Sequence, residues 1–254
     1  MTYLPARGLL AAVLVFASSL LAGCDNTSSS PTAPSTGVGV LQVVGARPIV
    51  RAAEQLTLAA TAAGVAATGV SWTSSDATVA SVTAAGLVTA RRAGRTTLTA
   101  SSAAGTGSVA LRVVPDFAGT WAGALARPQL TCAATSGAAL CAPGATTAGT
   151  ITLTVTQAAD RATATLRDSA EPTAVLALTG QVLDDDQLSL AGRVDVPAVT
   201  PALRVDVSTF RATIDPTRDT MTGSYVLTVD RAMPPAALQS DYRAQAQFRD
   251  LPRR

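Results

Sequence analysis

GTITLTVT, residues 149–156, is the stretch of this 254-residue chain that decides its fold. Its apolar residues Ile151, Leu153 and Val155 alternate with threonines. Successive side chains of a β-strand point to opposite faces, so this period of two predicts a strand with one face in a core. Threonine, isoleucine and valine also favour strands. The stretch therefore predicts a half-buried strand of a β-sheet.

The same alternation recurs across residues 116–254, which we predict to form one domain. Eight predicted strands joined mostly by short turns favour an up-and-down antiparallel sheet that closes into a barrel and removes its exposed edges. The domain begins at Pro115-Asp116, where the formal charge changes from +4 (6 Arg, 2 acids) to −2 (12 Arg, 14 acids). The predicted strands are 117–123, 149–156, 161–166, 175–182, 187–190, 203–212, 221–229 and 242–248.

Residues 38–115 show a second set of short alternating runs, separated by glycine and Ala-Gly turns. Seven closely spaced strands predict an antiparallel sandwich. The predicted strands are 38–44, 55–60, 70–73, 79–82, 86–90, 96–100 and 109–114. The fold class expected for the whole chain is therefore all-β, with a β-sandwich followed by an eight-stranded antiparallel barrel.

Four segments of the first domain, 70–76, 79–82, 86–90 and 93–98, resemble the bacterial immunoglobulin-like domain, group 2. Their order and spacing cover nearly all of residues 38–115. The resemblance implies an immunoglobulin-like sandwich, in a family that occurs in surface adhesins and often as a spacer. Trp72, the only aromatic residue of the domain, is predicted to be a core plug, with a sugar-stacking platform as the alternative. Gly86 and Gly94 fit turns that need positive φ.

Gly119-Thr120-Trp121 at the start of the second domain resembles the Gly-X-Trp signature of lipocalin-like barrels. In that family the tryptophan closes one end of the barrel and packs against a downstream arginine. Arg243 or Arg249 could supply that arginine here. The resemblance implies that the barrel binds a small apolar molecule, although some such domains have filled interiors.

The N-terminus reads as an export signal over residues 1–23. Arg7 precedes an uncharged apolar run, 9–21, which is too short to span a bilayer as a helix, so a transmembrane anchor is the weaker interpretation. The run ends in Leu21-Ala22-Gly23-Cys24, which resembles the lipobox of bacterial lipoproteins. That resemblance implies a diacylglyceryl group on the Cys24 thiol, cleavage before Cys24 and acylation of the new amine, with acyl chains such as palmitate. The alternative is an ordinary secretory signal, and residues 24–37 are predicted to be a flexible Ser/Thr/Pro tether.

Cys132 and Cys141 remain once Cys24 is assigned to the lipid, and in an exported chain we predict that they form a disulfide. A metal or redox pair is the alternative, and it lacks any histidine or third thiol. The two cysteines lie in a predicted long loop, 127–148, which could guard the barrel mouth.

Two charged clusters have a structural and a functional interpretation. Asp184-Asp185-Asp186 is predicted to be a turn between strands, with a calcium site as the alternative. Arg91, Arg92 and Arg95 are predicted to be a solvated hairpin edge, with contact to an anionic surface as the alternative.

Composition limits the function classes. The chain has no histidine, which excludes Ser-His-Asp and Cys-His catalysis and argues against a catalytic zinc site. We predict no catalytic residue, no metal ligand and no cofactor. Its formal charge of only +2 gives no electrostatic footprint for nucleic acid. We therefore expect a non-enzymatic lipoprotein of the bacterial cell envelope, membrane-anchored, whose barrel binds a small apolar ligand or an envelope partner. Surface adhesion through the immunoglobulin-like domain is the alternative, and a carboxylate-based hydrolase is a third hypothesis.

Overall fold

The computed structural model describes residues 39–132, 146–170, 172, 174–196, 202–233 and 237–254, and the side chains within these ranges except those of 129–132 and 231–242. The chain divides into two units at Gly37, and the described residues belong to the second, Val38–Arg254. They are organised almost entirely as strands and turns, so the prediction of an all-β fold is confirmed. No helix in the described ranges has the length and apolar character needed to cross a membrane.

The first domain contains ten strands arranged in three sheets, and eight of the strands have only two to four residues. Strands β2, β10, β9 and β6 form one sheet, β3, β8 and β7 a second, and β1, β4 and β5 a third. All pairs are antiparallel except β2 with β10. The strands are β1 Gln42–Val44, β2 Ile49–Arg51, β3 Gln55–Thr57, β4 Ala59–Ala62, β5 Val65–Ala66, β6 Ser71–Ser74, β7 Ala80–Val82, β8 Leu87–Ala90, β9 Gly94–Ser102 and β10 Gly105–Val114.

The predicted strand 55–60 is divided into β3 and β4, which belong to different sheets, and strands β2 and β5 were not predicted from the sequence. They have three and two residues, which is too short for an alternating pattern to be visible. The positive φ predicted at Gly86 and Gly94 is confirmed, with values of 80° and 150°. Gly86 follows a turn, whereas Gly94 is the first residue of β9.

The sandwich buries two apolar clusters, one of which is centred on Val50, Val88 and Val113. The other is smaller and contains Leu41 and Ala100. Trp72 is only half-buried and packs against both clusters. The prediction of a fully buried plug is therefore wrong in degree, because β6 is an edge strand and leaves one side of the indole uncovered. Its packing is nevertheless that of a core residue.

The second domain is a closed antiparallel barrel of eight strands in sequence order. The predicted strand number, order and closure are all confirmed, and β11 pairs with β18 to complete the ring. The strands are β11 Gly119–Cys132, β12 Thr146–Ala158, β13 Arg161–Asp168, β14 Leu176–Val182, β15 Leu188–Val196, β16 Leu203–Asp215, β17 Thr220–Met233 and β18 Ala237–Pro252.

Strand β11 is longer than the sequence indicated. The predicted loop 127–148 is wrong at both ends, because Arg127 and Pro128 continue β11 and pair with Thr147 and Thr146 of β12. An arginine at an inward position interrupts the apolar alternation, and this is why the pattern ended too early. The span between these strands, 133–145, lies outside the described residues.

Inward side chains fill the middle of the barrel. The three rings of Phe210, Tyr225 and Phe248 have centroids 5.7, 5.8 and 6.5 Å apart. Ile151, Leu153 and the neighbouring inward residues surround them in one continuous buried cluster. Aromatic contacts of this kind add to the stabilisation from apolar burial. The threonines of the 149–156 stretch face outwards, as predicted.

Candidate functional site

One end of the barrel is closed by a tryptophan and an arginine. Trp121 is fully buried, and its Nε1 donates to the Phe117 carbonyl oxygen at 2.9 Å. The guanidinium carbon of Arg253 lies 4.4 Å from the centroid of the Trp121 ring. A cation over an indole face is attracted by the negative face of the ring. We call this the closed end, and the opposite end, where β15 ends and β16 begins, the far end.

The arginine that packs against Trp121 is Arg253, not Arg243 or Arg249, the two candidates for this role in the lipocalin-like resemblance. Arg243 and Arg249 are exposed, so their assignment as the partner of Trp121 is wrong. Arg253 follows the last strand and reaches back to Asp219 at 2.9 Å and to the Asp116 carbonyl oxygen at 2.9 Å. These bonds hold the guanidinium of Arg253 over the indole of Trp121. Arg253 lies beyond the last predicted strand, 242–248, so no pattern in the sequence identified it as the partner of Trp121.

A buried polar cluster crosses the barrel interior on the far-end side of Leu125. The Arg127 guanidinium donates to both carboxylate oxygens of Asp168, and Tyr225 donates its hydroxyl to the same carboxylate. Arg127 also donates to Ser169 Oγ at 2.9 Å. Arg127 and Asp168 are 3% and 2% exposed, so water contributes little to their solvation. The charges of Arg127 and Asp168 are therefore compensated by each other and by hydrogen bonds within the barrel.

Gly149 makes room for this cluster. It lies on β12, between the strands that carry Arg127 and Asp168, and a Cβ at this position would overlap the Arg127 guanidinium. The absence of a side chain lets the arginine cross a strand and reach its partner.

The Asp184-Asp185-Asp186 run forms the β14–β15 turn, which confirms that prediction. Asp186 has a φ of 62°, and its N–H donates to the Leu183 carbonyl oxygen at 3.0 Å. The turn sits against the immunoglobulin-like domain: Asp184 pairs with Arg95 at 2.9 Å and with Arg112 at 3.2 Å. Asp186 lies 3.5 Å from Arg112, and Arg112 also donates to the Leu183 carbonyl oxygen. No group of three or more His, Cys, Asp or Glu in the described ranges could hold a metal ion.

Further contacts join the two domains near their linker. Asp116 pairs with Arg51 at 3.1 Å and with Arg253 at 3.5 Å. Val114 and Ile49 of the immunoglobulin-like domain pack against the barrel core. Of the predicted Arg91, Arg92 and Arg95 edge, Arg95 therefore belongs to the junction between the domains.

The same Asp-x-Thr arrangement caps one turn in each domain. Asp76 accepts hydrogen bonds from the Thr78 hydroxyl at 2.6 Å and the Thr78 N–H at 2.9 Å. Asp215 accepts the same pair from Thr217 at 2.6 and 2.9 Å. The threonine hydroxyl, and then its backbone N–H, hold the pKa of each carboxyl below its ordinary range.

The lipidation and disulfide predictions fall on residues that the structure does not describe. Cys24 and Cys141 lie outside the described ranges, and only the backbone of Cys132 is described, at the end of β11. Both predictions stay predictions.

Fold and site together define a two-domain all-β protein, an immunoglobulin-like sandwich joined to a closed eight-stranded barrel. Residues 47–113 match the family model described as bacterial Ig-like domain (group 2). No curated protein matches the chain. The match covers the first domain, so the resemblance recognised in segments 70–98 is confirmed there.

Proposed function

We propose that the chain is a non-enzymatic, lipid-anchored protein of the bacterial cell envelope. In this proposal the immunoglobulin-like domain presents the barrel, which binds a small apolar ligand or an envelope partner at its far end. Support for the anchor comes from the order Leu21-Ala22-Gly23-Cys24 after an apolar run.

One observation favours the far end of the barrel as the binding site. The closed end is occupied by Trp121 and Arg253, and the immunoglobulin-like domain contacts the turn beside it through Arg112. At the far end, by contrast, the inward-facing Val194 and Val196 are half-buried while they pack against the barrel core. Half-buried apolar side chains at a barrel mouth give an apolar ligand or partner surface to cover.

The ligand proposal is tested with the apolar fluorophore N-phenyl-1-naphthylamine and the full chain in non-ionic detergent below its micelle concentration. We expect saturable binding that Val196→Asp weakens by about tenfold, because a carboxylate at the mouth opposes apolar contact. Ala191→Asp on the exposed face of the same strand is the matched control and should leave affinity unchanged. Absence of saturable binding, or equal loss in both variants, would refute an apolar site at the far end.

The anchor is tested separately by metabolic labelling with radioactive palmitate. Wild-type protein should carry label and sediment with membranes, whereas Cys24→Ser should do neither, because serine offers no thiol for thioether formation. Cys132→Ser should keep both properties. Label retained by Cys24→Ser would contradict lipidation at that residue.

A further inference from the structure

Between the immunoglobulin-like domain and the closed end of the barrel lies a cleft of about 440 Å³ that the proposed function does not use. We infer that this cleft binds a small organic anion, with Arg91 and Arg92 as the residues that hold its acidic group. The volume is within the range of small-molecule sites, and such sites often form where two domains meet.

Three of the acidic residues that line the cleft are fixed by ion pairs within the protein. On the barrel side Asp116 and Asp219 pair with Arg253, at 3.5 and 2.9 Å, and Asp186 pairs with Arg112 at 3.5 Å. These acids are therefore compensated within the protein. A preformed cleft lowers the ordering entropy that a ligand must overcome.

Arg91 and Arg92 are different, because neither forms an ion pair within the part of the chain that the structure describes. Arg91 donates through Nε to Ser81 Oγ at 3.1 Å, and Arg92 donates to Thr78 Oγ1 at 3.5 Å. Most of the donors of these two guanidinium groups thus remain available. Planar guanidinium groups match carboxylate and phosphate oxygens in pairs, so these two residues specify the acidic group.

The other residues that line the cleft indicate the chemistry of the rest of the ligand. Ala93, Ile214 and Pro216 give the cleft an apolar stretch, which suits a short hydrocarbon part. Asp185 also lines the cleft; its only hydrogen bond in the described ranges is from the Gln187 N–H at 3.3 Å, and it makes no ion pair there. Its negative charge opposes a second acidic group, so the geometry favours a ligand with a single acidic group and an apolar tail.

The test measures hexanoate and hexyl phosphate binding to the full chain by saturation-transfer NMR at low ionic strength. Each probe carries one acidic group on a short alkyl tail, and their relative affinities distinguish a carboxylate from a phosphate ligand. We expect saturable binding of at least one probe, at least tenfold weaker in Arg91→Ala/Arg92→Ala, since each charge-assisted hydrogen bond contributes on that scale. Arg193→Ala, an exposed arginine on β15, is the matched control.

Asp185→Asn separates a binding role from a loss of folding. This variant keeps an acceptor for the Gln187 N–H and removes the opposing charge, so the anion should bind about two- to threefold more tightly. The inference is overturned if neither probe binds saturably, or if Arg193→Ala weakens binding as much as the double variant does. Binding only to vesicles of anionic lipid, with neither hexyl probe bound, would overturn it in favour of a surface contact. Because no barrel residue of the far end is involved, failure here leaves the proposed apolar site untouched.

Discussion

At the scale of single residues, Arg127 and Asp168 are the least expected pair in the barrel. Removing two charges from water costs several kcal/mol each before their mutual attraction is counted, so a buried pair is poor evidence of net stabilisation. The pair depends instead on further hydrogen bonds to its carboxylate. Asp168 also accepts from the Tyr225 hydroxyl and from the Ala170 N–H at 2.8 Å. Replacing Asp168 alone should therefore lower the free energy of unfolding more than replacing Arg127 and Asp168 together.

We predict that Asp168→Ala lowers the free energy of unfolding by about 3–5 kcal/mol, because it leaves the Arg127 charge buried without a counter-ion. The double replacement Arg127→Met/Asp168→Leu should cost clearly less than Asp168→Ala alone. Urea unfolding followed by circular dichroism measures both. Asp195→Ala, which breaks the exposed pair with Arg204, should leave the midpoint nearly unchanged. A double replacement as costly as the single one would contradict this account.

At the scale of elements, the strands could be predicted wherever one face is uniformly apolar. The 149–156 stretch has this property, and so do most strands of both domains, because a barrel or a sandwich buries alternate residues. The prediction failed where an inward position is polar, as at Arg127, or where a strand is too short, as at Ile49–Arg51.

Contacts between distant elements were beyond reach of the sequence. The Asp184–Asp186 turn could be predicted from aspartate content, but its pairing with Arg112 joins residues more than seventy positions apart. Arg253 could not be assigned to Trp121 for the same reason. Local patterns carry no information about which surfaces meet after the chain has folded.

The Asp-x-Thr turns give a prediction about pH. The carboxylate form of Asp215 is favoured in the folded state, so its stabilising contribution is fully present above the pKa of the unfolded chain. That contribution is lost as the pH falls through the lower, folded-state pKa. Asp215→Asn should therefore lower the urea midpoint at pH 7, and its difference from wild type should shrink as the pH falls below about 4.

The cause of this shift can be examined by changing the hydroxyl donor. In a carbon-13 NMR titration of side-chain carboxyls, Thr217→Val should raise the pKa of Asp215, whereas Thr217→Ser should leave it low. A pKa that is the same in all three proteins would show that the hydroxyl is not the main cause.

At the scale of the whole molecule, the junction decides whether the two domains behave as one body. Arg112 is nearly buried and binds the β14–β15 turn through three oxygen atoms, whereas Arg95 makes a single exposed pair with the same turn. Arg112 is therefore expected to contribute most of the polar coupling between domains.

We predict one calorimetric unfolding transition for the wild-type protein, because the domains share apolar contacts and partly buried hydrogen bonds. Arg112→Ala should split the transition in two, since it removes about 1–3 kcal/mol of interdomain bonding. Arg95→Ala should retain a single transition. Two transitions in the wild type, or identical behaviour of the two variants, would show that the junction does not couple the domains.

The two tryptophans have a practical consequence. Each domain holds one, and their surroundings differ: Trp121 is fully buried beneath a cation, and Trp72 is half-buried on an edge strand. Indole emission shifts to longer wavelength as water reaches the ring, so the unmodified chain carries two intrinsic optical reporters with separate colours. Trp72→Phe and Trp121→Phe would each leave a single-colour protein that reports on one domain alone.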